Sequence, residues 1–282
     1  MTKKIYFGIN GQFGDILIQE PTLRKLTKTH PEAQIILGCH KKYSEVLELF
    51  KDYHPNIIEH KIWEGYNNWP TKSDNQYIDE QGFDLFYHPM PKHPDGPHWV
   101  EKRHIVKEMG YMRQIELNDS ELQLSLPCNY DIRKKQKTVS ISLFPSDWRV
   151  KGIKSLTYEM IRGIVKVVTS LGYDIIHLNG PDEPDVPNTK KVNGTYVQSV
   201  GQMLSTDLLI TCDTSMMWAA SAFKHPTIGL FSWGYNPIAK TTKNWQPVNP
   251  NAIYLEDYAA RNIKKQDIIK ALCDKLRKED NE

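Results

Sequence analysis

Short apolar runs alternate with amphipathic stretches along the whole chain. Residues 5–9 (IYFGI) form an apolar run closed by Gly11, the mark of a strand buried on both faces. A glycine-containing turn follows, then a helical stretch to Thr29 that Pro21 should bend or break by removing a backbone donor. After the stop at Pro31 come a strand at 33–38, a helix at 43–51 and a strand at 83–87. Residues 63–79 carry Trp63, Trp69 and Pro70 and read as a long loop, a type of segment more often functional than decorative. Residues 89–97 hold four prolines and predict no regular structure, and 100–110 reads as a helix.

A polar, basic stretch at 127–137 lacks periodicity, and a second series follows it. Residues 138–144 alternate as a strand. Residues 155–171 predict a helix with Leu156, Met160, Ile164, Val167, Val168 and Leu171 on one face and Gly172 as its stop. Strands at 173–178, 208–212 and 227–231 alternate with helices at 196–204 and 214–223, and the last 20 residues form an amphipathic helix with Ile268, Ile269, Leu272 and Leu276. Strand–helix alternation means parallel sheets with right-handed crossovers. The expected architecture is α/β, with two Rossmann-like domains whose parallel sheets face a central cleft. The expected boundaries are 1–132, 133–262 and a terminal helix at 263–282. Ligands of such sheets bind at the carboxyl ends of the strands, which says which loops to search.

Composition narrows the classes. The 282 residues are 39% hydrophobic and 25% charged, with a net charge of +2, so nothing pulls the whole protein toward nucleic acid or an anionic membrane. Cys39, Cys128, Cys212 and Cys273 lie far apart and make no CxxC pair, which argues for a reducing compartment. No apolar stretch is long enough to span a bilayer, and the start MTKK leads into an apolar run too short for a signal peptide. The expected location is the cytoplasm, with a peripheral membrane contact left open.

Three segments carry chemistry. The turn Asn10-Gly11-Gln12-Phe13-Gly14-Asp15 follows the first strand, with glycines for a sharp turn and Asp15 at a helix start, either as an ionised functional group or as a plain cap. Its spacing is not GxGxxG, which disfavours a nicotinamide enzyme. At Asp213-Thr214-Ser215-Met216 a buried strand gives way to a helix of small residues, whose first amides make an anion site suited to a diphosphate, or are merely capped by Asp213 or Thr214. Residues 144–155 follow the second domain's first strand and hold Arg149, Lys151 and Lys154, cations that would stabilise a departing diphosphate. Spacing does not choose between Lys151 and Lys154, and solvated lysines are the simpler reading. His88, His93, His98 and His104 are regularly spaced, but intervening prolines and missing acidic partners disfavour a metal. Trp63, Trp69 and Trp99 are candidates for stacking on a sugar or base.

The run GDILIQEPTLRKLTKTHPEAQI at 14–35 resembles the amino-terminal signature of glycosyltransferase family 9, the ADP-heptose:lipopolysaccharide heptosyltransferases of GT-B fold. Its features here are Gly14-Asp15, Ile16-Leu17, Pro21, Leu23-Arg24 and Pro31-Glu32-Ala33. The segment from Asp213 is similar to the family's carboxyl-domain signature, with Ser215 in place of a glycine and Trp218 in place of a histidine. Residues 226–237 look like its following loop, with Asn236 at the polar position. The resemblance implies that Asp15 is the general base for an acceptor hydroxyl. It implies donor contacts from Ser146, Lys151 or Lys154, Glu183 (Asp182 second), Asp213, Thr214, Ser215, Met216 and Asn236. It places the acceptor against Gly11, Gln12, Phe13, Gly14, His88, Lys92, Arg103 and His104. No DxD motif is present, so the implied activity is metal-independent, inverting transfer. The donor is a nucleotide-diphosphate sugar, bound as substrate with no cofactor, and the acceptor a carbohydrate or glycolipid. A transferase acting on a modified DNA base, a sugar-nucleotide epimerase of the same fold, and a non-catalytic nucleotide-sugar-binding protein are the alternatives.

Overall fold

The computed structural model describes residues 2–9, 11–51, 57–63, 82–87, 103–126, 132, 134, 137–145, 152–178, 180, 182–234 and 241–276. The chain divides into two compact units, Met1–Cys128 and Asn129–Glu282.

The first unit runs β1 (Lys4–Gly8), α1 (Phe13–Leu17), α2 (Glu20–Thr29), β2 (Gln34–His40), a 3-10 segment (Lys41–Leu47), α3 (Glu48–Lys51), β3 (Ile57–Trp63), β4 (Leu85–Tyr87) and α4 (Ile105–Tyr111). Its strands are parallel in the order β3-β2-β1-β4. After Lys4, β1 is buried at every position, as its unbroken apolar run requires. The single helix expected up to Thr29 is two helices. The chain breaks at Ile18 and Gln19, and Pro21 falls in the first turn of α2, where a missing N–H costs nothing. The helix expected at 43–51 is 3-10 up to Leu47. The Ser44 hydroxyl donates to Lys41 O (2.9 Å), an i−3 bond that matches the tighter spiral. Trp63, read as the start of a loop, is the last residue of β3, a strand the pattern did not announce. Residues 64–81 and 88–102, which hold the rest of that loop, the proline-rich stretch and the start of the helix expected at 100–110, lie outside the described residues.

The second unit runs β5 (Thr138–Ser142), α5 (Tyr158–Ser170), β6 (Asp174–Leu178), β7 (Lys190–Val192), α6 (Tyr196–Leu204), β8 (Leu208–Cys212), α7 (Ser215–Ala222), β9 (Thr227–Ser232), β10 (Ala252–Asp257) and α8 (Lys265–Leu276). Its six strands are parallel in the order β10-β9-β8-β5-β6-β7, the doubly wound arrangement with its switch point between β5 and β8. Val139, Ile141, Leu208, Ile210, Ile228 and Leu230 from the sheet meet Ile161, Ile164, Val165 and Val168 of α5 and Ile268, Ala271 and Leu272 of α8 in one core. The face of α5 is therefore turned from the expected one, with Ile161 and Val165 inside and Leu156, Met160, Val167 and Leu171 at the margin. Ile161, Ile164, Val165 and Val168 follow the i, i+3, i+4, i+7 spacing of a single face. Thr157 caps the helix by accepting from Met160 N (3.2 Å). Likewise Ala271 and Leu276 are buried in α8 while Ile269 is only partly so. No described helix is long and apolar enough to cross a membrane.

Candidate functional site

The crevice rule points to the carboxyl ends of β5 and β8 in the second unit. A cluster of hydroxyls sits there. Thr211 and Thr214 Oγ1 atoms are 2.9 Å apart, Thr211 also donates to Ser142 O (3.0 Å), and Ser142 Oγ lies 3.5 Å from Thr214 Oγ1. Beside the cluster, Lys154 Nζ, on the loop after β5, meets Asp213 Oδ2, at the end of β8, at 2.6 Å. Both partners are largely buried, at 24% and 18% exposure, so water screens this pair less than a surface pair. Thr214 is the N-cap residue of α7, yet its hydroxyl turns into the cluster and no side chain caps the helix. The first amides of α7 thus keep their capacity to bind an anion. Tyr196 steadies the turn by donating its hydroxyl to Ser215 O (2.9 Å). Met216, Met217 and Trp218 are buried, so Trp218, where the resembled signature has histidine, is a packing residue.

Three other loops border the same sheet edge. Ala260 N donates to Ile153 O (2.9 Å) and Arg261 to Gly152 O (3.2 Å), lacing the loop after β10 to the loop after β5. Gly234, beyond β9, donates to Tyr258 O (2.8 Å) and packs so closely that a Cβ there would lie 3.0 Å from Ile153 Cγ2. The turn after β6 closes through Glu183 N to Gly180 O (3.2 Å). Of the two acids in that turn, Glu183 draws inward, with Oε2 3.4 Å from Nε2 of the buried His177, whereas Asp182 is exposed. Ser146, Lys151 and Asn236 lie outside the described residues.

In the first unit the sheet reverses between β1 and β4, and the turn after β1 carries Asp15. Asp15 is exposed at the third position of α1, and its Oδ2 accepts from Gln12 N at 2.8 Å. The capping reading of Asp15 is therefore realised, and the carboxylate remains open to solvent. Gly11 takes φ +117°, and a Cβ on it would fall 2.6 Å from Asp15 Oδ2 and 2.7 Å from its Cγ. Glycine is thus needed twice, for the dihedral and for the room Asp15 occupies. Phe13 packs edge-on against Tyr43 with centroids 5.2 Å apart, and Gly14 lies between Phe13 and Asp15 in the same turn.

Sequence reasoning missed Arg113. It is 5% exposed, lies over the Phe7 ring (5.1 Å) and donates to Gly8 O (3.2 Å), the last carbonyl of β1. Burial lowers its pKa to about 10, so it remains a cation behind the turn at neutral pH. Two residues expected to meet the acceptor also hold local structure. Arg103 lies 3.9 Å over the Tyr111 ring and 3.5 Å from the buried Glu108, and His104 caps α4 by accepting from Val106 N (3.2 Å). His88 and Lys92 are outside the described residues, as are His93 and His98. Among the described residues, no group of three or more His, Cys, Asp or Glu is placed to hold a metal.

No family model matches the chain, and neither does any curated protein. Solved structures match over nearly its full length. A glycosyl transferase family 9 protein from Veillonella parvula is 15% identical, with 98% of this chain and 97% of that chain covered and a TM-score of 0.71. The ADP-heptose LPS heptosyltransferase II of E. coli is 12% identical, with 98% and 99% covered and a TM-score of 0.74. The UDP-GlcNAc 2-epimerase of Methanocaldococcus jannaschii is 12% identical, with 96% and 92% covered and a TM-score of 0.50. At these identities the likeness establishes the fold, which is the two-Rossmann α/β fold of GT-B glycosyltransferases.

Proposed function

We propose that this protein is a heptosyltransferase-like glycosyltransferase that moves a sugar from a nucleotide-diphosphate sugar to an acceptor hydroxyl, inverting the anomeric carbon without a metal. One observation carries the reading. At the switch point of the second sheet, an uncapped helix start, three hydroxyls and the Lys154–Asp213 pair converge. Amides and hydroxyls there bind the diphosphate, and Lys154 balances the negative charge that Asp213 would otherwise present to it. In the first unit, Asp15 accepts the proton of the acceptor hydroxyl as that oxygen bonds to the anomeric carbon. The bond from that carbon to the diphosphate breaks, and the nucleoside diphosphate leaves with its electrons. The acceptor is a carbohydrate or glycolipid. Among the described residues, Cys39, Cys212 and Cys273 are in no disulfide, in keeping with a cytoplasmic enzyme.

Thermal shift with ADP, UDP, GDP and CDP should show stabilisation by one of them through linkage. The matching nucleotide sugars, incubated with glycan acceptors, should then yield product. Conversion of the donor with no acceptor present would make the protein an epimerase, and binding without any turnover would make it a binding protein.

A further inference from the structure

His177 lies in β6 with no exposed surface, and neither ring nitrogen has a hydrogen-bond partner. An imidazole always presents polar nitrogens, so leaving both unmatched in a core is costly unless something else completes the site. Glu183 Oε2 stands 3.4 Å from His177 Nε2 and is itself buried without a hydrogen bond. Two unsatisfied groups thus face each other, close enough to attract and not yet bonded. The rest of Glu183 reaches outward. Its side chain keeps 16% exposure, and its Oε1 lies 3.1 Å from the place a Cβ on Gly180 would occupy. Asp185 does not compete for the imidazole as a bonded partner, since Lys191 holds it at 2.9 Å. The Phe144 ring, 5.5 Å from His177 between centroids, packs against the imidazole.

The location gives this pair a ligand. β6 is the second strand of a Rossmann-like unit, and an acid just beyond the carboxyl end of the second strand is where nucleotide-binding sheets grip ribose hydroxyls. We infer that His177 is a positioning residue for nucleoside recognition: ribose hydroxyls on Glu183 draw Oε2 onto the Nε2–H of His177, and the completed pair selects ribose over 2′-deoxyribose. This rests on the reading of the second unit as a nucleoside-diphosphate site. His177 never touches the ligand; it acts through Glu183.

The test is calorimetric titration of the full chain with ADP, UDP, GDP and CDP and with their 2′-deoxy counterparts. Wild type should bind the ribose form of its preferred base about tenfold or more tightly than the deoxy form, the worth of one hydrogen bond to a charged group. His177→Phe keeps a ring against Phe144 and should shrink that ratio to about twofold or less, while His177→Gln, which restores an N–H, should recover much of it. A purely structural histidine would weaken both forms alike, so an unchanged ratio in His177→Phe overturns the inference. Should the phenylalanine variant not fold, imidazole nitrogen NMR of wild type decides. The His177 signals should move with the ribose diphosphate and stay with the deoxy form, and equal responses overturn the inference. If wild type binds a nucleoside diphosphate without preferring ribose, this inference fails alone. If it binds none of the four, the donor-site reading fails and this inference with it.

Discussion

The turns at the two switch points solve different problems with different materials. In the first unit an exposed carboxylate, Asp15, accepts from the Gln12 backbone amide and is given room by Gly11. In the second, a largely buried ion pair and a set of hydroxyls are tied down through neighbouring loops. A group that takes up a proton must lie within hydrogen-bond reach of it, and an exposed carboxylate is open to an incoming hydroxyl. A pocket for a charged diphosphate needs its dipoles fixed before the ligand arrives. In the proposed reading this contrast separates proton transfer in one unit from charge stabilisation in the other.

The sharpest way to break that division is Asp15→Asn. It should lower transfer about 10²–10⁴-fold and leave nucleoside-diphosphate affinity unchanged, because only the base is lost. Retained turnover would remove Asp15 from the chemistry. Lys154→Ala should do the reverse, weakening diphosphate binding about 10–100-fold by leaving Asp213 uncompensated. Adding Asp213→Ala should return part of that loss, and strictly additive effects in calorimetry would show that the pair does not act together. Next in size is Gly11→Ala, which should cost about 1–3 kcal/mol from its positive φ and also depress transfer by pushing Asp15 aside. Its control is Gly172→Ala in the second unit, at φ +80° with open space around it, where stability alone should fall.

The smallest effect per step is in pH. Burial of Glu20 raises its pKa from 4.5 to about 7, against the pull of Arg24, so the unfolded chain gives up its proton first as pH rises. The Glu20 contribution to stability is therefore full below pH 4.5 and is lost on the way to about 7. Burial of His225 lowers its pKa from 6.5 to about 3, so its contribution is full above 6.5 and is lost as pH falls toward 3. Urea denaturation of Glu20→Gln and His225→Phe against wild type should show opposite slopes of about 1 kcal/mol per pH unit within those windows. Slopes of the same sign would contradict the burial of one of the two.

Much of this was readable in the chain because local signals agreed. A continuous apolar run into Asp213-Thr214-Ser215 marked β8 and the start of α7, and the run from Tyr196 marked α6. β7 escaped notice because this edge strand, Lys-Lys-Val, lacks the apolar signature of a central strand, while β10 went unread although Ala252-Ile253-Tyr254-Leu255 carries an apolar run. At the candidate site, Asp15, Asp213 and Thr214 stand at turns that announce themselves by residue type. Ser142, His177 and Thr211 do not, since a polar residue inside a strand reads like any other strand position until the register sets it beside its partner. Arg113 was equally silent, because its contact with Gly8 spans 105 residues. Arg103 and His104 also make a ring contact and a helix cap, neither of which their residue types announce.

One feature of α7 reaches further than the ligand. All eight of its residues after the N-cap except Ser215 are buried, with Ala219, Ala220 and Ala222 letting it lie close to its surroundings. The start of α7 is thus cut from the same block as the interior, and altering it would undermine the whole second unit. If the proposed donor site lies there, new donor preferences would have to come from the surrounding rim, where substitutions leave that foundation standing.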